Sequence, residues 1–152
     1  MGQRRTTGRT NEISREGAAL LRAAASLSAA EAFPAWKAFR AMVPEGEEGI
    51  EHRRLLPLVC RNLTRLEHPR DPHLVRAYAE SLAFNALALG ALGRAVDILN
   101  GASVPSLVLK GCALLLTHYR DQGARPMADL DLLLPSGRIG AALDALEKGG
   151  WR

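Results

Sequence analysis

Apolar residues recur at helical spacing through roughly the first hundred positions of the chain. An Ala-rich stretch carries Ile13, Leu20 and Leu27 at intervals of seven, which predicts a helix with a narrow apolar face. Pro34 is placed to open a second, short helix, and Pro57 must lie in the first turn of a third helix or kink it. The apolar residues of these two helices are Trp36, Phe39, Met42, Leu55, Val59, Leu63 and Leu66.

The fourth apolar pattern is the longest and has the clearest boundaries. Asp71 can cap a helix and Pro72 fits its first turn, whereas Asn100-Gly101 supplies a stop. Between them, spacings of three and four residues alternate through Val75, Tyr78, Leu82, Asn85, Leu89, Leu92, Val96 and Leu99. Such a seam packs either against helices of the same chain or against a second copy, as a coiled coil in which Asn85 sets the register. Because three other amphipathic helices need a partner, the pattern favours the intramolecular bundle.

After Gly101 the pattern changes from helix alone to alternating strand and helix. The elements predicted here are a buried strand over 106–110, a short helix over 112–119, a loop rich in Gly, Pro and charge over 120–127, a strand over 128–134 and a helix over 136–148. The expected fold class is therefore α+β, with a helical bundle over 13–101 followed by the start of a mixed-sheet core over 102–152. Residues 1–12 are basic and are predicted to be disordered.

Composition narrows the class of protein further. The 152 residues correspond to one domain, 47% of them are hydrophobic and 24% are charged. No uninterrupted apolar run approaches the ~20 residues of a membrane-spanning helix, so we expect a cytoplasmic protein with no membrane partner. The net charge of +4 comes from 17 Arg and 3 Lys that mostly stand singly on predicted helix surfaces. Cys60 and Cys112 are too few for a disulfide framework or a zinc cluster and are expected to be reduced.

Two aspartates in the second predicted strand are candidates for metal chemistry. Residues two apart in a strand face the same side, so Asp129 and Asp131 project together while Leu130 and Leu132 point into a core. Adjacent carboxylates repel each other, and a divalent cation relieves that repulsion. Mg²⁺ suits such hard oxygen ligands together with substrate phosphates, and two-metal phosphoryl-transfer sites need carboxylates that bridge the ions. By itself the Asp-x-Asp pattern is equally compatible with a solvated strand face.

Residues upstream of the aspartates favour a phosphate-bearing ligand. Lys110 and Gly111 stand where the first strand meets the short helix, and free backbone N–H groups and the helix dipole attract an anion there. Gly111 permits close approach of the backbone, and Lys110 adds a positive charge. Arg125, in the Gly/Pro loop, either reaches a phosphate, fixes the aspartate pair or forms a surface ion pair. A phosphate-binding turn so close to a carboxylate pair favours a functional site over a chance arrangement of these residues.

The run over 109–134 resembles a family of uncharacterised bacterial nucleotidyltransferases in the DNA polymerase beta-like superfamily, to which the kanamycin nucleotidyltransferases also belong. The likeness is carried by Leu109-Lys110-Gly111, Ala113-Leu114, Tyr119, Arg125-Pro126-Met127 and Asp129-Leu130-Asp131-Leu132-Leu133. It implies a mixed-sheet nucleotidyltransferase core that transfers a nucleoside monophosphate from an NTP, such as ATP, to an acceptor hydroxyl. It implies further that Asp129 and Asp131 are catalytic and hold two Mg²⁺ ions, and that Lys110, Gly111 and Arg125 bind the substrate.

The chain departs from the superfamily pattern in two respects. Better-known members carry Gly-Ser or Gly-Gly where this chain has Lys110-Gly111-Cys112. The superfamily uses a third carboxylate on a later strand, whereas Asp144 and Glu147 belong to the helix predicted over 136–148. We therefore expect the chain to be the N-terminal part of an enzyme. Two alternatives are a truncated, non-catalytic helical interaction module with a degenerate core, and a basic nucleic-acid-binding domain, which an aromatic content of 5% disfavours. The sequence leaves the NTP, the acceptor and the oligomeric state open.

Overall fold

The computed structural model describes residues 13–151, and the predicted disordered N-terminus at 1–12 lies outside the described residues. Within the described range the helices are α1 (Arg15–Ala25), α2 (Ala29–Met42), α3 (Ile50–Arg65), α4 (Pro72–Gly101), α5 (Lys110–Leu114) and α6 (Ile139–Lys148). Strands β1 (Leu107–Val108) and β2 (Leu132–Leu133) pair antiparallel, with Leu107 opposite Leu133. This arrangement confirms the predicted α+β fold class.

Helix α1 packs against α2 and α3 through a shorter apolar face than its sequence predicts. Ser14 caps the helix, since its Oγ accepts the N–H of Gly17 at 3.1 Å. Leu20 is fully buried, but Ile13 and Leu27 are 66% and 83% exposed and lie beyond the two ends of α1. The predicted seven-residue repeat is therefore wrong for two of its three members, because α1 begins after Ile13 and ends before Leu27.

Two prolines lie inside helices rather than at their starts. Helix α2 begins at Ala29, so the prediction that Pro34 opens it is wrong, and Pro57 lies within α3 well past its first turn. Each proline removes one backbone hydrogen bond from its helix. Both helices also carry buried side chains, among them Trp36 and Val59, which pack in one core cluster with Leu20 of α1. That shared burial stabilises the helices despite the missing hydrogen bonds.

Helix α4 connects the helical region to the rest of the chain. Its predicted cap is confirmed, because Asp71 Oδ1 accepts the N–H groups of His73 and Leu74 at 3.0 and 3.3 Å. Val75 and Leu82 of the predicted seam are partly exposed, at 43% and 39%. The buried residues of α4 are Leu74, Ser81, Asn85, Leu92, Ala95 and Leu99. The helix packs against α3 and α6 of the same chain, as the intramolecular alternative predicts.

Helix α4 is also the one helix among residues 13–151 that is long and apolar enough to cross a membrane by length and composition. An 18-residue window in it has a mean hydropathy of 1.5, and 22% of that window is buried. No such helix was predicted from the sequence, because Arg76, Glu80, Arg94 and Asp97 interrupt the apolar positions of α4. A single helix of this kind is weak evidence for membrane insertion, since core helices of soluble proteins meet the same criterion.

Strands β1 and β2 are two residues long, so both predicted strands extend too far. One further bond continues the pairing, from the N–H of Leu109 to the carbonyl of Asp131 at 2.9 Å. The short helix begins at Lys110, two positions before its predicted start, and passes into a π-helical turn over Leu115–Tyr119. Beneath these elements the side chains of Leu92, Cys112, Leu115 and Met127 form a buried cluster. The second half of the chain therefore folds onto one face of α4.

Candidate active site

A cleft of about 660 Å³ lies between α1 and α3 on one side and the segment that joins β1 to β2 on the other. Four of the five predicted site residues line it, namely Lys110, Gly111, Arg125 and Asp129. Asp131 does not line the cleft, but its Oδ1 accepts a hydrogen bond from Lys110 Nζ at 2.9 Å. A larger cavity of about 840 Å³ between α1 and α2 contains none of the five residues. The fold thus gathers the predicted residues in and beside one cleft.

Asp129 and Asp131 precede β2, so the prediction that both lie within the strand is wrong, because the pairing with β1 extends back only to the carbonyl of Asp131. The aspartates still alternate with leucines that pack in the core. Leu130 and Leu132 pack against the buried cluster around Met127, whereas Asp129 is exposed and Asp131 is half-buried. The second carboxylate oxygen of Asp131, Oδ2, is buried and has no hydrogen-bond partner among the described residues. A buried acceptor of this kind is unfavourable until a donor or a cation satisfies it. Asp131 therefore has an unused oxygen with which to bind a ligand.

Lys110 has an unusual backbone conformation at this position. Its φ angle of 49° lies in the left-handed region, which costs free energy for a residue with a side chain. The conformation accompanies the salt bridge to Asp131. The pKa of Lys110 is raised, first by the hydrogen bond to Asp131 and then by the negative charges of Asp131 and Asp129. The ammonium group is therefore positively charged at neutral pH and faces both carboxylates.

The helix dipole expected to attract an anion at this junction is small. Helix α5 contains five residues before the π-helical turn begins, and a helix this short aligns few peptide dipoles. The positive charge at this end of the cleft comes instead from the side chains of Lys110 and Arg125.

The guanidinium of Arg125 lies against the backbone of Gly111. A Cβ atom at position 111 would lie 3.3 Å from Arg125 Nη1, so glycine leaves the space that the guanidinium occupies. Nη1 is buried without a hydrogen-bond partner, and Arg125 forms no ion pair within residues 13–151. The surface ion pair considered for Arg125 is thus not found in the described part of the chain. A partly buried guanidinium that lies beside a cleft without an ion-pair partner among the described residues suits an anionic ligand such as phosphate.

The donor set fits a magnesium ion that is shared with a substrate. Asp129 and Asp131 supply carboxylate oxygens, the ligand type that Mg²⁺ prefers, and the unpartnered Oδ2 of Asp131 is one such oxygen. The described residues contain no group of three or more His, Cys, Asp or Glu side chains arranged to hold a metal. Mg²⁺ commonly uses one or two carboxylates and completes its coordination with water and substrate phosphates. The two aspartates therefore match an ion that arrives with a nucleotide better than a closed structural site.

Cys112 lies behind the site and belongs to the core. Its Sγ is 3.3 Å from Met127 Sδ, and the residue is 1% exposed. Burial raises the pKa of the thiol, and the negative charges of Asp129 and Asp131 raise it further. The sulfur therefore remains a protonated, weakly nucleophilic thiol. This agrees with the expectation that the cysteine is reduced.

Two groups of residues at the site were not predicted from the sequence: those of α3 that line the opposite wall of the cleft, and those of α4 that hold the loop over 120–127. Glu51, His52 and Arg54 of α3 line the cleft opposite Lys110. Tyr78 and Asn85 of α4 hydrogen-bond to the loop over 120–127. Burial, together with the hydrogen bond to Asp121, raises the pKa of Tyr78 to about 12. The available signal was the presence of polar residues within an apolar helical seam.

Carboxylates and cations gathered around one cleft are typical of enzymes that act on phosphate groups. Comparison with protein-family models matches residues 49–152 to a family described as uncharacterised nucleotidyltransferases. The chain belongs to this family, and its general activity class is nucleotidyl transfer. The match begins at the residue before α3 and includes all five predicted site residues. Comparison with curated proteins gave no significant match, and neither did comparison with solved structures.

Proposed function

We propose that this chain is a Mg²⁺-dependent nucleotidyltransferase of the cytoplasm. The acceptor hydroxyl loses its proton and forms a bond to the α-phosphorus of an NTP, the bond between the α- and β-phosphates breaks, and pyrophosphate leaves. The observation that carries the proposal is the convergence of Lys110, Gly111, Arg125 and Asp129 on one cleft, with Asp131 hydrogen-bonded to Lys110 at its edge. Family membership supports the class of reaction. The cleft volume of about 660 Å³ lies within the range of small-molecule sites.

In this proposal the negatively charged side chains bind the metal and the positively charged side chains bind phosphate. Asp129 and Asp131 would hold Mg²⁺, and the ion, when bound, would supply charge neutralisation at the phosphates and a lowered pKa for an acceptor hydroxyl. Lys110 and Arg125 bind phosphate oxygens, and Gly111 keeps the backbone clear of the guanidinium. Because Lys110 is largely exposed, it can exchange Asp131 for a phosphate without rearrangement of the chain. That exchange frees Asp131 Oδ1 for the metal.

One observation favours a second candidate, in which the chain binds NTP without transferring it. The described residues hold no cluster of three or more His, Cys, Asp or Glu side chains arranged to bind a metal. Superfamily catalysis uses three carboxylates, according to the resemblance stated above. A helical interaction module that retains nucleotide binding would have this donor set.

Label transfer distinguishes the two candidates. The chain is incubated with Mg²⁺ and each NTP, labelled at either the α- or the γ-phosphate, together with acceptor mixtures of small hydroxyl compounds, RNA or protein. The proposal predicts that α-label but not γ-label enters an acceptor, and that Asp129→Asn and Asp131→Asn abolish the transfer. Asp144→Asn, an exposed change on α6, serves as the matched control and retains it. Binding of NTP without transfer to any acceptor mixture contradicts the enzymatic proposal and supports the module.

A further inference from the structure

The segment that carries Arg125 is held by side chains of other elements. We call residues 120–127 the site loop. Among the described residues, its backbone forms one hydrogen bond within the loop, from the N–H of Ala124 to the carbonyl of Asp121 at 3.3 Å, and one to the preceding turn. The strand pairing begins only after the loop, at Asp131. The position of the loop therefore depends on contacts from α3 and α4.

Asn85 of α4 makes three of these contacts. Its Nδ2 donates to the carbonyls of Gln122 and Arg125 at 2.6 and 2.8 Å, and its Oδ1 accepts the N–H of Met127 at 3.0 Å. The side chain is fully buried, so water does not compete for these bonds. Two carbonyls require the amide NH₂ and one N–H requires the amide oxygen, so the partners fix the orientation of the amide. One side chain thus replaces the backbone pairing that the loop lacks.

The other end of the site loop is held by Asp121. Its Oδ1 accepts the hydroxyl of Tyr78 at 2.8 Å and the N–H of Gly123 at 3.0 Å. Its Oδ2 lies 3.2 Å from Arg61 Nε of α3. A Cβ atom on Gly123 would collide with the ring of Tyr78, so the loop also lies directly against α4 there. Both ends of the loop are therefore fixed by the helical region.

The contact of Asn85 with the Arg125 carbonyl fixes the backbone from which the guanidinium extends. The guanidinium lies beside Gly111, with its buried Nη1 unpartnered. If the loop were free, the guanidinium would gain hydration by leaving this position. The hydrogen bonds of Asn85 oppose that movement. They hold Arg125 in a position that becomes favourable once an anion occupies the cleft.

We propose that Asn85 is a positioning residue for nucleotide binding, and that it acts by holding the site loop so that Arg125 faces the phosphate groups of the NTP. The inference rests on the proposed function and extends it to α4. The helical region then serves as a structural part of the nucleotide site.

A double-mutant cycle with a second readout tests the proposal. Binding of a non-hydrolysable NTP analogue with Mg²⁺ is measured by calorimetry for the wild type, Asn85→Ala, Arg125→Ala and the double variant. Hydrogen exchange of the Met127 amide is measured in parallel. Asn85→Ala is expected to weaken binding about tenfold, because a misplaced binding group loses most of its effect, and to accelerate Met127 exchange. In the Arg125→Ala background the same change is expected to cause little further loss.

Two further variants separate positioning from stability. Leu99→Ala removes a fully buried side chain of α4 from a different core cluster, so it destabilises the fold and is expected to leave nucleotide affinity unchanged. Asn85→Asp retains the acceptor for the Met127 N–H and loses the NH₂ donor. The Met127 amide is expected to exchange more slowly in Asn85→Asp than in Asn85→Ala. If the alanine variant fails to fold, Asn85→Asp replaces it in the double-mutant cycle.

The outcomes distinguish this inference from the proposed function. Wild-type protein that binds no non-hydrolysable NTP analogue in the presence of Mg²⁺ contradicts both. Wild-type protein that binds, with an Asn85→Ala variant that binds equally well, contradicts the role of Asn85 alone. Losses from Asn85 and Arg125 that simply add in the double variant contradict action through Arg125.

Discussion

At the scale of single residues, the site depends on the contact between Gly111 and Arg125. The space for a side chain at position 111 is occupied by the guanidinium, since a Cβ would lie 3.3 Å from Nη1. The free energy of folding does not require glycine here, because position 111 lies within α5 and alanine is the better helix former. Glycine at this position leaves the space that the guanidinium of Arg125 occupies.

Gly111→Ala is therefore expected to weaken Mg²⁺-dependent NTP binding about tenfold through displacement of Arg125, with little change in the free energy of unfolding. Calorimetry and chemical denaturation measure the two quantities. Gly140→Ala is the matched control, because position 140 lies within α6 and a Cβ there meets no atom within 4 Å. The control is expected to keep full affinity. An equal effect of both changes on binding would show that the Gly111–Arg125 contact is unimportant.

The five candidate site residues could be proposed from the sequence because they lie within one short run of the chain. Their spacing also relates directly to local secondary structure. Asp129 and Asp131 alternate with two leucines, and Lys110-Gly111 follows an apolar strand. The role of Asn85 was not accessible in the same way. Its partners lie 37 to 42 positions away in the chain, and a polar residue in an apolar seam is also typical of a register-setting asparagine. Only the fold shows which backbone groups it meets.

At the scale of elements, α1 shows how an apolar repeat misleads when a helix is short. Ile13, Leu20 and Leu27 are equivalent in the sequence pattern, yet only Leu20 is buried. Periodicity predicts which positions share a face of a helix, but it does not predict where the helix ends. The same reason explains the strands, which stop after two residues because β1 and β2 have only each other as partners among the described residues.

Leu20→Ala is expected to lower the free energy of unfolding by about 3 kcal/mol, because it leaves a cavity between α1, α2 and α3. Leu27→Ala is expected to change it by less than about 0.5 kcal/mol, because the side chain is largely exposed. Urea denaturation of the two variants measures both values. Comparable losses from the two changes would mean that both leucines are buried, as the seven-residue repeat predicts.

At the scale of the whole molecule, the helical region and the segment after Gly101 meet at one cleft. Helix α3 supplies the wall opposite Lys110, and α4 holds the loop that carries Arg125. The family match from residue 49 onward spans both parts, which agrees with a site that both parts build. Sequence patterns predicted the α+β fold class correctly. They did not predict the cleft, because its two walls come from distant stretches of the chain.

The central claim is that this cleft binds a nucleotide together with Mg²⁺. Calorimetric titration of a non-hydrolysable NTP analogue, with Mg²⁺ and with chelator, tests it most directly in the wild type, Asp129→Asn, Asp131→Asn and Asp144→Asn. We expect saturable, Mg²⁺-dependent binding by the wild type and Asp144→Asn, and loss of that binding in the other two variants. Absence of binding by the wild type, or binding that survives chelation and both site substitutions, would contradict the account.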